Sequence, residues 1–129
     1  MNPQTADGAD DLARTRICTD LDACFLVEAA AGTGKTWCFV ERVVELLARG
    51  RVRVEGLVAV TFTRKAAGEL RLRIRERLFQ RRLAAAEGSA GHEDASTLGH
   101  LNEALLRLEE AQIGTIHGFC ADLLRRHPV

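Results

Sequence analysis

Apolar residues follow two patterns along this chain, short continuous runs and helical spacing. Together these patterns predict an alternation of strands and helices. Three short, continuous apolar runs are typical of parallel strands that are covered on both faces. Each run is followed by apolar residues at helical spacing. The predicted strands are residues 24–27, 56–63 and 111–116. The predicted helices are residues 10–21, 35–49, 65–83, 96–110 and 117–127.

Strands that alternate with helices imply a parallel sheet with helices on both faces. We therefore expect an α/β fold with about three parallel strands. Residues 1–9 are polar, and we expect them to be disordered. The Gly-rich stretch 88–91 is the one segment that resembles a linker. The remaining residues, 10–129, are predicted to form one domain, because a chain of 129 residues is long enough for its own core.

The first predicted strand runs into a loop of small residues that ends in Gly34-Lys35-Thr36, the order of a phosphate-binding P-loop (Walker A motif). Small residues let backbone N–H groups surround a phosphate. Lys35 can reach the β- and γ-phosphates of ATP, and Thr36 offers a hydroxyl to Mg²⁺. Ala29 stands where the usual motif has its first glycine, and the alternative is a strand-to-helix turn without a ligand. The candidate nucleotide-binding residues are Ala29, Ala30, Ala31, Gly32, Thr33, Gly34, Lys35 and Thr36.

Two further motifs follow the second and third predicted strands, at the strand ends where ligand sites gather in open α/β sheets. Each motif combines threonine with an aromatic residue and a polar or basic group. Hydroxyls bind phosphates and aromatic rings stack on bases, so the mixture favours single-stranded nucleic acid. The alternatives are core packing for Phe62 and Phe119 and a hydrogen-bonded structural role for His117. The candidate DNA-binding residues are Thr61, Phe62, Thr63, Arg64, Lys65, Thr115 and His117.

The net charge is zero, but the charges are segregated along the chain. Residues 64–82 contain eight basic side chains and two acidic ones, whereas residues 1–30 and residues 84–110 each contain six acidic side chains. A basic helix of this kind is either a solvated face or a contact for nucleic acid. The sequence leaves both interpretations open.

Composition and cysteine usage narrow the class of protein further. No apolar run approaches the roughly 20 residues of a transmembrane helix. The first 22 residues are polar and acidic, unlike a signal peptide. The four cysteines form no Cys-x-x-Cys pair, and with the four histidines they complete no zinc pattern. We expect reduced, mostly buried thiols and a cytoplasmic protein without a membrane partner.

Three motifs, taken in order, resemble those at the start of superfamily 1 DNA helicases of the UvrD/RecB/AddA type. Residues 29–36 are similar to motif I, residues 61–70 to motif Ia, and residues 115–120 to the Thr-x-His-Gly-Phe motif that follows. The resemblance implies a P-loop NTPase domain of RecA-like fold (domain 1A), with Lys35 and Thr36 serving ATP and Mg²⁺. It also implies an ATP hydrolase that moves 3′ to 5′ along single-stranded DNA in DNA repair or recombination.

The chain departs from this family in three places. No glutamine stands at a suitable place upstream of motif I to read adenine. Trp37 replaces a smaller or basic residue, and it is predicted either to pack in the core or to lie beside the nucleotide. The apolar strand ending in Asp-Glu, which would hold Mg²⁺ and polarise the attacking water, is missing, as are the second RecA-like domain and its arginine finger. We therefore expect a partial domain, truncated before the Asp-Glu motif and not competent for hydrolysis by itself.

The resemblance implies partners as well, namely ATP, single-stranded DNA, and either the missing remainder of the helicase or a nuclease partner. Two alternative functions remain. One is a stand-alone module that binds nucleotide or single-stranded DNA without ATPase activity. The other is a different P-loop enzyme, such as a small-molecule kinase. The two threonine-containing motifs argue against a kinase, which would not need them.

Overall fold

Helices dominate the computed structural model of the chain, which describes residues 3–28, 34–88 and 94–128. These residues form five α-helices and two β-strands. A single 3₁₀ turn precedes each strand, at Val54–Gly56 and Leu108–Glu110. In chain order the other elements are α1 (Pro3–Thr19), α2 (Lys35–Ala48), β1 (Val58–Thr61), α3 (Arg64–Ala86), α4 (Ala95–Arg107), β2 (Gln112–Thr115) and α5 (Ile116–Arg126).

The two strands pair in parallel, as the sequence predicts. Val58 lies opposite Gln112 and Thr61 lies opposite Thr115, so both strands end at the same edge. The connection between them contains α3 and α4, because parallel neighbours need a long crossover. A helix follows each strand directly at that edge.

The predicted strand at 24–27 is wrong, so the described residues contain two strands rather than about three. Residues 24–28 have no regular secondary structure. A strand needs a neighbour for its N–H and C=O groups, and within the described residues β1 and β2 pair only with each other. Leu26 is instead 87% exposed to solvent.

The N-terminal helix is also longer than predicted. It begins at Pro3, ahead of the predicted start at residue 10, and so includes most of the segment 1–9 that we expect to be disordered. By contrast, α2 begins at Lys35, as predicted, and Gly50 follows its C-cap in a left-handed conformation (φ +65°). A glycine just past a helix end is a common stop signal because it adopts positive φ without strain.

The core lies where α2, α3 and α4 pack together against one face of the small sheet. The predicted apolar stripe of α3 is confirmed, because Leu70, Ile74 and Leu78 are all buried. The strands contribute alternate residues to the core, so Ala59 is buried while Val58 is half-exposed on the opposite face. The largest fully buried side chains are Val44, Ile74, Leu78, Leu101 and Leu108.

Candidate nucleotide and nucleic-acid sites

The start of α2 is built as an anion-binding helix end. Gly34 is the N-cap residue and has φ +88°, a left-handed conformation that favours glycine. Among the described residues, no side chain caps the helix at this end. The first N–H groups of a helix have no intrahelical partner, and together with the helix dipole they favour an anion. The start of α2 can therefore receive a phosphate without displacing a capping side chain.

Lys35 and Thr36 occupy the first turn of α2, and both are exposed. These two side chains fit a nucleotide with its Mg²⁺, because an ammonium group pairs with phosphate and a hydroxyl is a hard oxygen ligand. The other candidate nucleotide-binding residues, Ala29 to Thr33, lie outside the described residues. Within the described ranges, no three His, Cys, Asp or Glu side chains are grouped to hold a metal ion.

Arg14 of α1 lies beside this helix end, and sequence reasoning missed it. A methyl group placed on Gly34 would lie 3.6 Å from Nη1 of Arg14. The guanidinium also pairs with Asp10, one turn earlier on α1, at 3.0 Å. Only a weak signal in the sequence points to it: residues 1–30 contain six acidic side chains and two basic ones, and Arg14 is one of the two.

The second and third motifs meet at the edge where both strands end. Thr61 and Thr115 are direct partners across the sheet. The hydroxyl of Thr61 donates to the carbonyl of Thr63 at 2.9 Å and lies 3.4 Å from the carbonyl of Gly114. Two motifs that are far apart in the sequence therefore form one continuous surface.

Two helices begin at this edge, and each is capped by a threonine of a candidate motif. The Thr63 hydroxyl accepts from the N–H of Ala66 at 3.1 Å, and the Thr115 hydroxyl accepts from the N–H of Gly118 at 3.0 Å. A Cβ atom at Gly118 would lie 3.2 Å from the Thr115 hydroxyl, so glycine keeps this cap uncrowded. The positive ends of both helix dipoles thus lie at one edge, which favours phosphate groups.

Several candidate DNA-binding side chains are open to solvent at this edge. Phe62 is 87% exposed, so its predicted alternative as a core residue is wrong. His117 is also exposed, and its imidazole makes no hydrogen bond to another described residue. Phe119 is partly buried, so its exposure is intermediate between that of a core residue and that of a ring free to stack on a base. Arg64 and Lys65 are exposed on the first turn of α3.

Most arginines of the basic helix α3 are engaged inside the protein. Arg77 pairs with Glu41, and Arg81 pairs with Glu45, both across the interface with α2. Arg71 and Arg75 both pair with Glu109, and Arg82 donates to Asn102. Five of the six arginines in the middle and end of α3 therefore bind other residues of the fold, and the basic side chains at its start lie at the candidate DNA edge.

The exposure of Trp37 excludes one of its two predicted positions, and most of the cysteines are less buried than expected. Trp37 is 53% exposed, so it does not pack in the core. All four cysteines are free thiols, but only Cys38 is buried. Burial raises the pKa of the Cys18 thiol, and the nearby Cys38 adds to the effect. This thiol therefore stays protonated and weakly nucleophilic.

The described helices include none that is long and apolar enough to cross a bilayer.

Residues 11–129 match the family profile of the UvrD/REP helicase N-terminal domain. The match covers nearly the whole chain, including both strands, the start of α2 and the capped helices at the sheet edge.

Several relatives are named as ATP-dependent helicase/nuclease subunits. The protein from Syntrophomonas wolfei is 45% identical over 102 residues, which is 79% of this chain and 7% of that protein. The protein from Alkaliphilus oremlandii is 41% identical, and that from Staphylococcus aureus is 34% identical, each over 79% of this chain and 8% of the relative. The chain therefore spans less than a tenth of the length of these relatives.

Proposed function

Because the chain belongs to the UvrD/REP helicase family, we propose that it supplies the ATP-binding part of an ATP-dependent DNA helicase. The relatives named as helicase/nuclease subunits support this assignment. In the proposal, the chain binds ATP with Mg²⁺ at the start of α2. It binds single-stranded DNA at the edge where β1 and β2 end.

The start of α2 is the observation on which the ATP proposal rests. Gly34 adopts a left-handed conformation at the helix end, and no side chain of the described residues caps the first N–H groups. In the proposed complex these N–H groups and the Lys35 ammonium hold the phosphates, and the Thr36 hydroxyl holds Mg²⁺. Residues 29–33 complete the phosphate-binding loop in this proposal, as the motif predicts.

By the family resemblance, hydrolysis requires an acidic pair at the end of an apolar strand, besides the phosphate-binding residues. The bound Mg²⁺ would neutralise charge on the phosphates, but an acidic pair must still orient the attacking water, and an arginine must stabilise the transition state. No apolar run in the 129 residues ends in Asp-Glu. We therefore propose that the chain binds ATP and does not turn it over by itself.

The DNA proposal rests on the shared edge of the two strands. In it, the N-termini of α3 and α5 contact phosphates, and Arg64 and Lys65 add positive charge. Phe62, which is exposed, stacks on a base. Translocation from 3′ to 5′ and assembly with a nuclease-bearing partner are proposed for the whole protein, on the strength of the family resemblance and the names of the relatives.

ATP binding is tested by calorimetric titration of the chain with ATP and Mg²⁺. We expect Lys35→Ala to weaken binding by roughly tenfold or more, because it removes one charge-assisted contact to phosphate. Arg53→Ala is the control, since Arg53 is an exposed base on a 3₁₀ turn whose guanidinium pairs with Glu55. Equal affinity of the wild type and Lys35→Ala would remove the phosphate-binding assignment. Sustained turnover of ATP by the chain would contradict the proposed lack of hydrolysis.

A further inference from the structure

Arg42, on the helix that begins at the candidate nucleotide site, donates to three backbone carbonyls of the preceding segment. Its Nη1 donates to the carbonyls of Ile17 at 2.6 Å and Asp20 at 2.9 Å. Its Nη2 donates to the carbonyl of Ala23 at 2.7 Å. The last carbonyls of a helix have no intrahelical partner, so Arg42 satisfies the end of α1 as well as the chain that leaves it.

The same guanidinium lies 5.0 Å from the ring centre of Phe25, and the guanidinium of Arg16 lies 5.7 Å from it. A cation at this distance from an aromatic ring is attracted to it. Arg42 therefore holds α1 and the segment 20–28 against α2. In the sequence, this segment directly precedes residues 29–33, the proposed phosphate-binding loop, and α2 follows them closely.

Docking α1 in this way places Arg14 beside Gly34. We propose that Arg42 is a positioning residue for the nucleotide site, and that Arg14, which it positions through α1, is a further nucleotide-contacting side chain. A guanidinium is suited to phosphate oxygens, and its ion pair with Asp10 orients it along α1. The inference rests on the proposed function, because it assumes that a nucleotide occupies the start of α2.

The anchoring role requires arginine and not merely a positive charge. Two guanidinium nitrogens of Arg42 reach three carbonyls that lie in different directions. A lysine presents one ammonium, which cannot reproduce this planar, forked arrangement. The conservative substitution Arg42→Lys should therefore weaken nucleotide binding about as much as the loss of the charge does.

The experiment is a fluorescence titration of the chain with the ATP analogue mant-ATP and Mg²⁺. We expect Arg42→Gln, Arg42→Lys and Arg14→Gln each to weaken binding by about tenfold, because each removes a contact to phosphate or the support of one. The effects of Arg14→Gln and Arg42→Gln should be less than additive in the double variant, since one acts through the other. Arg49→Gln is the matched control, because Arg49 also lies at α2 but pairs with Glu45.

A second readout, amide hydrogen exchange without nucleotide, separates the possible failures. Arg42→Gln should speed exchange of the hydrogen-bonded amides at the end of α1, including those of Asp20 and Leu21, whereas Arg49→Gln should not. Unchanged exchange in Arg42→Gln, or full affinity in Arg42→Lys, would overturn the positioning role. Full affinity in Arg14→Gln would overturn its contact with the nucleotide, even if the Arg42 variants fold poorly. If the wild type binds no mant-ATP, the proposed function is wrong, and the proposed roles of Arg14 and Arg42 at the nucleotide site are wrong with it. The exchange measurement would still test whether Arg42 anchors the end of α1.

Discussion

At the scale of single residues, two of the three described glycines with positive φ lie at helix ends next to the proposed nucleotide site and the core, in conformations that other residues adopt only with strain. Gly34 has φ +88° and Gly50 has φ +65°. The sequence marks both as positions where glycine is common, since Gly34 stands in a candidate phosphate-binding motif and Gly50 follows a helical pattern. It does not predict what lies against Gly50, which is the ring of His100 from α4. That contact depends on how α2 and α4 pack, and no local pattern encodes it.

The environment of Gly50 leads to a prediction about stability. A Cβ atom at this position would lie 2.6 Å from the His100 ring, whose Nδ1 lies 3.0 Å from the carbonyl of Ala48. We expect Gly50→Ala to lower the free energy of unfolding by about 1–3 kcal/mol, from the left-handed backbone and the crowded ring together.

Urea unfolding followed by circular dichroism measures this effect, with Gly99→Ala as the control. Gly99 lies within α4, and a Cβ atom there would meet nothing within 4 Å. The same substitution should therefore raise the free energy of unfolding by about 0.5–1 kcal/mol, through helix propensity alone. A stable Gly50→Ala variant would show that His100 and the helix end adjust without cost.

At the scale of elements, the basic helix α3 shows what sequence reasoning can and cannot supply. The spacing of Leu70, Ile74 and Leu78 predicts which face of α3 is buried, because helical period alone determines it. The partners of its arginines are not predictable in this way. Glu41 and Glu45 lie on another helix, and the register between α2 and α3 depends on the packed core. The charge pattern alone therefore suggests a larger nucleic-acid surface than the fold leaves.

The strand predicted at 24–27 failed for a related reason. Its apolar residues satisfy the local pattern of a buried strand, but strand formation requires a neighbour. Arg42 binds the carbonyl of Ala23 and lies over Phe25 instead. Contacts from a distant part of the sequence thus override the local preference.

The ion pairs between α2 and α3 predict a contrast between two glutamates. Glu41 is buried, and its carboxylate accepts from two nitrogens of Arg77. We expect Glu41→Gln to lower the free energy of unfolding by about 1–3 kcal/mol, because a partly buried guanidinium loses its charged partner. Thermal and urea unfolding of the variant measure the loss.

Glu110→Gln is the matched control for the buried pair. Glu110 is exposed and pairs with Arg107, three positions earlier. The hydrogen bond from Arg107 holds the pKa of Glu110 below its ordinary value, but exposed pairs of this kind contribute little to stability. We expect no resolvable change in unfolding for this variant. Equal losses in the two variants would show that burial does not set the strength of these pairs.

At the scale of the whole molecule, the sequence predicts the order of the helices and of β1 and β2, and it places a candidate motif at the end of each of these strands. Parallel strands end at the same edge, so the partnership of Thr61 with Thr115 follows from the topology. The position of α1 against α2 could not be predicted, because it depends on Arg42 and on carbonyls that have no sequence signature. The sequence therefore locates the proposed DNA edge more completely than the surroundings of the proposed nucleotide site.

The distribution of ion pairs limits how strongly salt should affect DNA binding. Arg71, Arg75, Arg77 and Arg81 pair with acids of the same chain. The cations that we place at the proposed edge are therefore Arg64 and Lys65, in the first turn of α3. For single strands, each phosphate contact contributes a slope of about −0.7 to the plot of log binding constant against log salt. Two contacts therefore predict a slope of about −1.4. A helix with eight free bases would give a much steeper slope.

Fluorescence anisotropy with labelled oligo-dT at several salt concentrations measures this slope. Arg64→Ala and Lys65→Ala should each make it shallower by about 0.7, because each removes one phosphate contact. Arg75→Ala should leave the slope unchanged, since that guanidinium is already paired with Glu109. A change in Arg75→Ala equal to that in Arg64→Ala would mean that the internal ion pairs open on DNA. A flat response in the wild type would exclude Arg64 and Lys65 as phosphate contacts, since neutralising a phosphate with a lysine or arginine releases counterions.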